Sequence, residues 1–89
     1  MRIDYTPLFL KQFRKAPIDI QKTYGTRIAL FASNPSHPLL RTHKLIGEYE
    51  GCKSINITGD WRAIYEEYTD VFEPYVVFLF LGTHSQLYK

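Results

Sequence analysis

Six polar or ionisable residues fall near the ends of strands that the sequence predicts, and their types suit cleavage of RNA without a metal. Such cleavage needs a base for the 2′-hydroxyl proton, an acid for the departing 5′-oxygen, and cations that face the phosphate. Histidine suits both proton roles because its ordinary pKa lies near neutrality, and arginine offers a two-pronged donor for phosphate. The six residues are His43, Asn56, Asp60, Arg62, His84 and Tyr88.

Most of these residues also have an ordinary structural interpretation. A lone histidine near a strand end is usually a surface or hydrogen-bonding residue, and Asp60 sits in a predicted turn, where aspartate is common. Arg62 could pair with a neighbouring glutamate. The rings of Trp61 and Tyr88 could stack bases, but a tryptophan also suits a core position. The pattern alone is therefore suggestive of RNA chemistry without being specific for it.

Other kinds of site have little support in the sequence. The three histidines and the single cysteine show neither CxxC nor HxxxH spacing, so we predict no metal site. The phosphate-binding patterns GxxxxGK[ST] and GxGxxG are absent, and no serine lies in GxSxG. We therefore expect a site that works without a cofactor.

Length and composition restrict the class of protein. The 89 residues predict a single domain over residues 1–89, and a hydrophobic content of 45% predicts a packed core. One cysteine cannot form an intramolecular disulfide, no signal-peptide pattern opens the chain, and the longest apolar run, Tyr75–Leu81, is far below the roughly 20 residues that span a membrane. We expect a cytoplasmic protein without a membrane partner.

The net charge of +2 is unevenly distributed along the chain. Residues 1–59 carry nine Lys or Arg against four Asp or Glu, whereas residues 60–89 carry two against five. This asymmetry predicts a basic face. Ordinary solvated helix surfaces would give the same pattern.

The first part of the chain predicts a strand followed by two helices. Met1–Tyr5 alternates apolar and polar residues, and Thr6-Pro7 supplies an N-cap and a proline for the first helical position. The first helix runs to about Lys15. Pro17 then opens a second helix, which Asn34-Pro35 ends. The two helices form a hairpin with an apolar inner side.

The second part predicts a run of strands. Cys52–Thr58 alternates as a half-buried strand does, and Gly59-Asp60 predicts a tight hairpin to Trp61–Tyr68. Tyr75–Leu81 is apolar on both faces, which is typical of an interior strand. Gly82 should end that strand, leaving the last seven residues as a tail or a further strand.

The order of elements is therefore β-α-α-β-β-β, with an optional last strand. We predict an α+β fold in which the N-terminal strand and the two-helix hairpin pack on one face of a twisted, mainly antiparallel sheet of four or five strands. The other face stays partly exposed. That exposed face is where a small domain could keep a site.

Three segments resemble the RelE/ParE superfamily of type II toxins, and most closely its YafQ-like branch. The segments are HKLIGEYEG (43–51), GDWRAIYE (59–66) and GTHSQLY (82–88), and the closing G-T-H-x-x-L-[YF] pattern is the most specific of them. The resemblance covers essentially the whole chain. It implies a RelE-like fold, a ribosome-dependent endoribonuclease that cuts mRNA in the A site, and a cognate antitoxin that silences it.

The resemblance also implies which residues act. Positions active in YafQ-like toxins correspond to His43, Asp60 and His84, while a fourth is occupied by Asn56, which cannot exchange protons near neutral pH. Arg62 is expected to stabilise the charged phosphorane. Substrate contacts are expected from Asn56, Tyr88, Trp61, Lys44 and Lys53, with Arg41 as a further auxiliary.

Phe80 is a second departure from the resemblance, because some relatives carry an arginine two residues before the motif glycine. Its absence removes one phosphate clamp. Two other functions therefore stay open: a ParE-like inhibitor of DNA gyrase that acts by binding, and an inactive relic that still binds antitoxin or RNA. The presence of His84 with Asp60 favours the nuclease. An acidic antitoxin segment that folds on binding would suit the basic, aromatic surface.

Overall fold

The computed structural model describes residues 1–88 and arranges them as five strands, three α-helices and two 3₁₀ turns. The strands are β1 (Arg2–Tyr5), β2 (His43–Lys44), β3 (Lys53–Asn56), β4 (Trp61–Tyr68) and β5 (Tyr75–Thr83). The helices are α1 (Pro7–Lys15), α2 (Ile18–Ser33) and α3 (His84–Leu87), and the 3₁₀ turns span Pro38–Leu40 and Gly47–Tyr49.

The strands form one mixed sheet in the order β1-β5-β4-β3-β2. β1 runs parallel to β5, and the other neighbouring pairs are antiparallel. The predicted α+β fold is confirmed, and β5 lies inside the sheet as its apolar sequence indicates. The register places Asn56 opposite Arg62 on one side of β4 and Gly82 opposite Arg62 on the other.

Local hydrogen bonds fix the two long helices where the sequence predicts them. The Thr6 hydroxyl accepts from the Phe9 amide at 3.0 Å and so caps α1. The side-chain amide of Gln21 donates to the carbonyls of Phe13 (3.0 Å) and Ala16 (3.1 Å). These bonds satisfy free carbonyls at the end of α1 and join it to α2.

Aromatic rings form the core between the helices and the sheet. The Phe78 ring lies 5.1 to 6.1 Å from the rings of Phe9, Tyr24, Phe31 and Tyr65, all of which are buried. Side chains alternate along a strand, so Tyr65, Ala63 and Trp61 of β4 all face the core. The residues between them, Ile64 and Arg62, face the other side of the sheet.

That second face of the sheet carries Arg62 and Ile64 of β4 together with their partners across the strands, Ser54, Asn56, Phe80 and Gly82. It is partly covered by α3 and by the 3₁₀ turn at Gly47–Tyr49. One face of the sheet is therefore committed to the core, and the other is available for a site.

The tight two-residue hairpin predicted at Gly59-Asp60 is wrong. The connection between β3 and β4 covers Ile57 to Asp60, and the amides of Ile57 and Thr58 both donate to the Trp61 carbonyl, at 2.8 and 3.3 Å. Gly59 does not adopt the positive φ that a two-residue turn of this kind requires. The wider loop brings the Asp60 carbonyl to the end of β5.

The predicted end of β5 at Gly82 is also wrong, and so is the predicted further strand. β5 continues through Gly82 to Thr83, and α3 follows, while Lys89 lies outside the described residues. A Cβ on Gly82 would lie 3.0 Å from Oε1 of Gln86 and 3.3 Å from the Leu87 side chain. Gln86 and Leu87 would have to shift by a few tenths of an ångström to admit it, so glycine suits the close approach of α3 to β5.

Candidate active site

One cleft on the second face of the sheet brings together five of the residues that the sequence predicts as functional. Its volume is about 330 Å³, and it lies where β2, β4 and α3 meet. Its lining residues are His43, Lys44, Leu45, Ile46, Arg62, His84 and Tyr88. Two imidazoles, a guanidinium, an ammonium and a phenol therefore share one surface.

The ring of His43 is held by hydrogen bonds at both nitrogens. Nδ1 lies 2.9 Å from the carbonyl oxygen of Arg41, which can only accept, so Nδ1 carries a proton. Nε2 lies 3.3 Å from the hydroxyl of Ser54, which is fully buried. In the neutral ring Nε2 therefore holds the lone pair, and the Ser54 hydroxyl donates to it.

His84 is fixed through its backbone at the first position of α3. Its amide donates to the Asp60 carbonyl oxygen at 3.1 Å and faces the Asp60 carboxylate at 3.4 Å. Its exposed ring lies 4.8 Å from the Tyr88 ring, one helical turn later. Asp60 thus contacts the backbone that carries His84 and does not line the cleft.

The cleft contains two buried donors that have no hydrogen-bond partner among residues 1–88: Nη1 of Arg62 and the hydroxyl of Tyr88. The ion pair with a glutamate that the sequence allowed for Arg62 is not found in this range either. Leaving buried donors unsatisfied costs about 1–3 kcal/mol each. A phosphodiester bound in the cleft would supply acceptor oxygens to both donors once the Arg62 and Tyr88 side chains turn toward it.

Tyr49 is a site residue that the sequence reasoning missed. Its hydroxyl donates to the Leu87 carbonyl at 2.8 Å, and its ring meets those of Phe80 and Tyr88 edge-on at 5.5 and 5.7 Å. Burial, with the charge of Glu48 as a second cause, raises the pKa of Tyr49, so it stays a neutral donor. The contact joins residues 38 apart, so no local spacing signals it.

Phe80, the departure from relatives with an arginine, has a structural role here. Its ring packs against Tyr49 and so against the residue that anchors α3. Phe80 therefore supports the wall of the cleft.

Four predicted residues lie outside this cleft. Asp60 contacts the His84 backbone, and Asn56 lines an adjoining cleft that shares Arg62 with the first. Trp61 faces the helices, because it alternates with Arg62 along β4, and it lines a groove beside Gln12 of α1. Lys53 forms an ion pair of 2.5 Å with Glu67. The structure thus does not bring Trp61 or Lys53 to the predicted substrate surface.

Within the described range, no group of three or more His, Cys, Asp or Glu side chains is placed to share a metal ion. Cys52 is half-buried, and burial together with the charge of Glu66 raises the pKa of its thiol. No helix among residues 1–88 has the length and apolar character needed to cross a membrane.

Comparison with known families gives one match over the whole chain. The model of the bacterial toxin of type II toxin-antitoxin systems, YafQ, matches residues 1–89. A comparison with curated proteins finds no significant match.

Solved structures of toxins share the fold. YafQ from E. coli strain BL21(DE3) superposes with a TM-score of 0.80 at 23% identity, with 100% of both chains covered. The E. coli DinJ-YafQ complex gives 0.69 at 24% identity, again over 100% of both chains. A YoeB/ParE toxin from Agrobacterium tumefaciens gives 0.76 at 17% identity, covering 94% of this chain and 99% of that one.

Proposed function

The chain belongs to the YafQ family of bacterial type II toxins, a family of endoribonucleases, and we propose that it is a ribosome-dependent endoribonuclease that cuts mRNA in the A site. One observation carries this proposal. Arg62 and Tyr88, whose buried donors have no hydrogen-bond partner among residues 1–88, line one cleft together with His43 and His84. Phosphate-binding donors beside two proton-exchanging rings are what cleavage at a 2′-hydroxyl requires.

The proposed reaction is an internal transfer of the phosphodiester. The 2′-oxygen bonds to the adjacent phosphorus, and the bond from phosphorus to the 5′-oxygen breaks. One proton leaves the 2′-hydroxyl for a base, and one proton reaches the 5′-oxygen from an acid. The products are a 2′,3′-cyclic phosphate and a free 5′-hydroxyl, with no added reactant.

His43 and His84 divide the two proton transfers. The bond from Nδ1 of His43 to the Arg41 carbonyl leaves the lone pair on Nε2, and this nitrogen serves as the base when the 2′-hydroxyl replaces the Ser54 hydroxyl as its partner. The acid is then His84, whose exposed ring can carry a proton to the leaving oxygen. Each transfer contributes a factor of about 10²–10⁴ to the rate.

The remaining cleft residues act on the phosphate and on the geometry. Arg62 stabilises the extra negative charge of the phosphorane, and the Tyr88 hydroxyl donates to a non-bridging oxygen. Lys44, exposed at the rim, attracts the RNA backbone. Asp60 is a positioning residue, since its contacts are with the backbone of His84.

Two partners follow from this proposal. The ribosome positions the message, so a domain of 89 residues needs no separate RNA-binding module. A cognate antitoxin would hold the toxin inactive, as the E. coli relative is found in a complex named DinJ-YafQ. The proposed site of action is the cytoplasm, where the ribosomes are.

Cleavage of a defined message on purified ribosomes tests the proposal. We expect His84→Ala to cut at least about 100-fold more slowly than the unchanged protein, because one proton transfer is lost. The matched control is His37→Asn, outside the cleft, where an asparagine oxygen can replace the Nδ1 that accepts from the Leu39 amide. It should cut normally.

Full cleavage by folded His84→Ala would remove this histidine from the mechanism. A DNA damage response on expression, without arrest of translation, would instead favour inhibition of gyrase and contradict the proposal.

A further inference from the structure

A second cleft of about 300 Å³ adjoins the candidate active site, and Arg62 lines both. Two more arginines line the second cleft: Arg27 of α2 and Arg41, which follows the first 3₁₀ turn. Asn56 and Thr58 add an amide and a hydroxyl, and no acidic or aromatic side chain lines it. Its chemistry is therefore that of an anion site.

The positive charge in this cleft is not balanced by the protein. None of the three arginines forms an ion pair within residues 1–88, and Nη1 of Arg62 is buried without a partner. Three guanidiniums around one small volume repel each other unless an anion lies between them. An anionic ligand would relieve that repulsion.

Arg41 links the two clefts in a second way. Its side chain lines the second cleft, whereas its carbonyl oxygen accepts from Nδ1 of His43 in the first. The residue has φ 45°, in the left-handed region that arginine rarely adopts. This backbone conformation lets one residue serve both clefts.

We propose that the second cleft binds a phosphodiester of the same RNA strand, next to the one that is cut. This inference rests on the proposed function, because it adds a second binding site for the RNA strand that is cut in the first cleft. The shared Arg62 makes the two sites neighbours, and the forked donors of arginine match phosphate oxygens. Because no aromatic ring lines the cleft, it holds the RNA backbone and does not distinguish bases.

Binding of a fluorescent hexanucleotide of 2′-O-methyl RNA, which cannot be cut, tests this inference by anisotropy at several salt concentrations. We expect Arg27→Gln and Arg41→Gln each to weaken binding several-fold and to reduce the slope of log affinity against log salt by about 0.7, the value for one lost phosphate contact. Pyrimidine and purine oligonucleotides should lose affinity equally.

Arg14→Gln is the matched control, since it removes the same charge from the exposed end of α1, away from both clefts. It should bind RNA as the unchanged protein does. His37→Asn, outside both clefts, is a second control that should also bind normally. Because the 2′-O-methyl RNA cannot be cut, its binding is measured independently of cleavage, so a failure of the cleavage mechanism and a failure of this site are distinguishable.

Three results would overturn the inference. The first is unchanged RNA binding by both arginine variants, and the second is no measurable binding by the unchanged protein at low salt. The third is that the arginine variants lose affinity for a polyglutamate peptide but keep their affinity for RNA. That result would identify the cleft as a site for an acidic protein segment. Equal melting temperatures of the variants ensure that folding does not explain a loss.

Discussion

Arg62 is the residue at which the needs of folding and of the proposed function conflict. Arg62 is the second residue of β4 and lines both clefts, and its Nη1 atom is buried without a hydrogen-bond partner among residues 1–88. An unsatisfied buried donor lowers stability, whereas the same donor, already in place, stabilises charge that develops on a phosphate. Residues that carry function at a cost to stability show this combination.

Arg62→Gln should therefore separate stability from activity. We expect the free energy of unfolding in urea to stay the same or rise by up to about 1 kcal/mol, because the buried charge is removed. Cleavage on ribosomes should fall by a factor of about 10²–10³, as for other losses of a transition-state donor.

The matched control for that pair of measurements is Arg14→Gln, which should leave cleavage unchanged. A variant at position 62 that cuts normally, or one that unfolds more easily by several kcal/mol, would show that Arg62 has a structural role only.

Ser54 is a positioning residue that acts through His43. Its buried hydroxyl is the partner of Nε2, at 3.3 Å, so Ser54→Ala should free the ring and slow cleavage about tenfold while costing about 1 kcal/mol of stability. The pH profile of the cleavage rate should shift, since Nε2 loses a partner. Ser85→Ala, on exposed α3, is the control. An unchanged rate and pH profile would contradict this role.

Residue types alone indicate the members of the candidate site better than they indicate the residues that position those members. The sequence indicates His43, His84 and Arg62 because few other residues could exchange protons or hold phosphate. It also contains the reason to exclude Trp61, since adjacent residues of β4 face opposite sides. Ser54 gives no such signal, because a serine in a half-buried strand is ordinary.

At the scale of elements, α3 decides whether the cleft exists. It carries His84 at its start, and Tyr88 follows its last residue. Thr83 and Gln86 form a reciprocal capping box: the Gln86 backbone amide donates to the Thr83 hydroxyl at 3.3 Å, and the Thr83 backbone amide donates to Oε1 of Gln86 at 2.9 Å. A helix of four residues is marginal by itself, so contacts from elsewhere must hold it.

Tyr49→Phe tests that anchoring. It keeps the ring contacts with Phe80 and Tyr88 and removes only the 2.8 Å bond to the Leu87 carbonyl. We expect a loss of about 1 kcal/mol of stability, faster hydrogen exchange at the Tyr88 amide, and slower cleavage.

Tyr68→Phe is the matched control, because among residues 1–88 the Tyr68 hydroxyl forms a single, exposed hydrogen bond, to the Glu66 carboxylate. It should change neither the exchange nor the cleavage. If Tyr49→Phe exchanges like the unchanged protein, α3 does not depend on this bond.

Elements whose signals are local could be predicted from the sequence, and those made by distant contacts could not. Proline and N-cap residues indicate α1 and α2, and continuous apolar residues indicate β5. β2 has two residues and exists because it pairs with β3. α3 is too short for a periodicity, although the T-x-x-Q spacing of its capping box was visible in the sequence.

For the whole molecule, the sheet separates a face for stability from a face for function. The helix-covered face holds the aromatic core, where burial and a 3.1 Å bond with the Tyr5 hydroxyl raise the pKa of Tyr24 far above its ordinary value of about 10. Burial, with the charge of Glu67, also raises the pKa of Tyr65. Both residues therefore stay protonated in the folded protein at a pH where an unfolded chain ionises.

The stability should therefore depend on alkaline pH. Below about pH 10 both tyrosines are protonated in the folded and the unfolded state, and their contribution to stability is fully present. Above that pH the tyrosines ionise only in the unfolded state, so the free energy of unfolding falls by about 1.4 kcal/mol per pH unit for each tyrosine. Urea unfolding between pH 9 and 11.5 should show this decline, and Tyr24→Phe should make it shallower by about 1.4 kcal/mol per pH unit above pH 10. A stability that is flat over this range would contradict the buried state of Tyr24.

The central claim is that this small domain cuts RNA by attack of the neighbouring 2′-hydroxyl. The most direct test is cleavage on ribosomes of a message with a single 2′-deoxy substitution at the mapped cut site, with analysis of the product ends. We expect no cut at that nucleotide, and 2′,3′-cyclic phosphate and 5′-hydroxyl ends on the unsubstituted message. Cleavage of the deoxy message at the normal rate would contradict it.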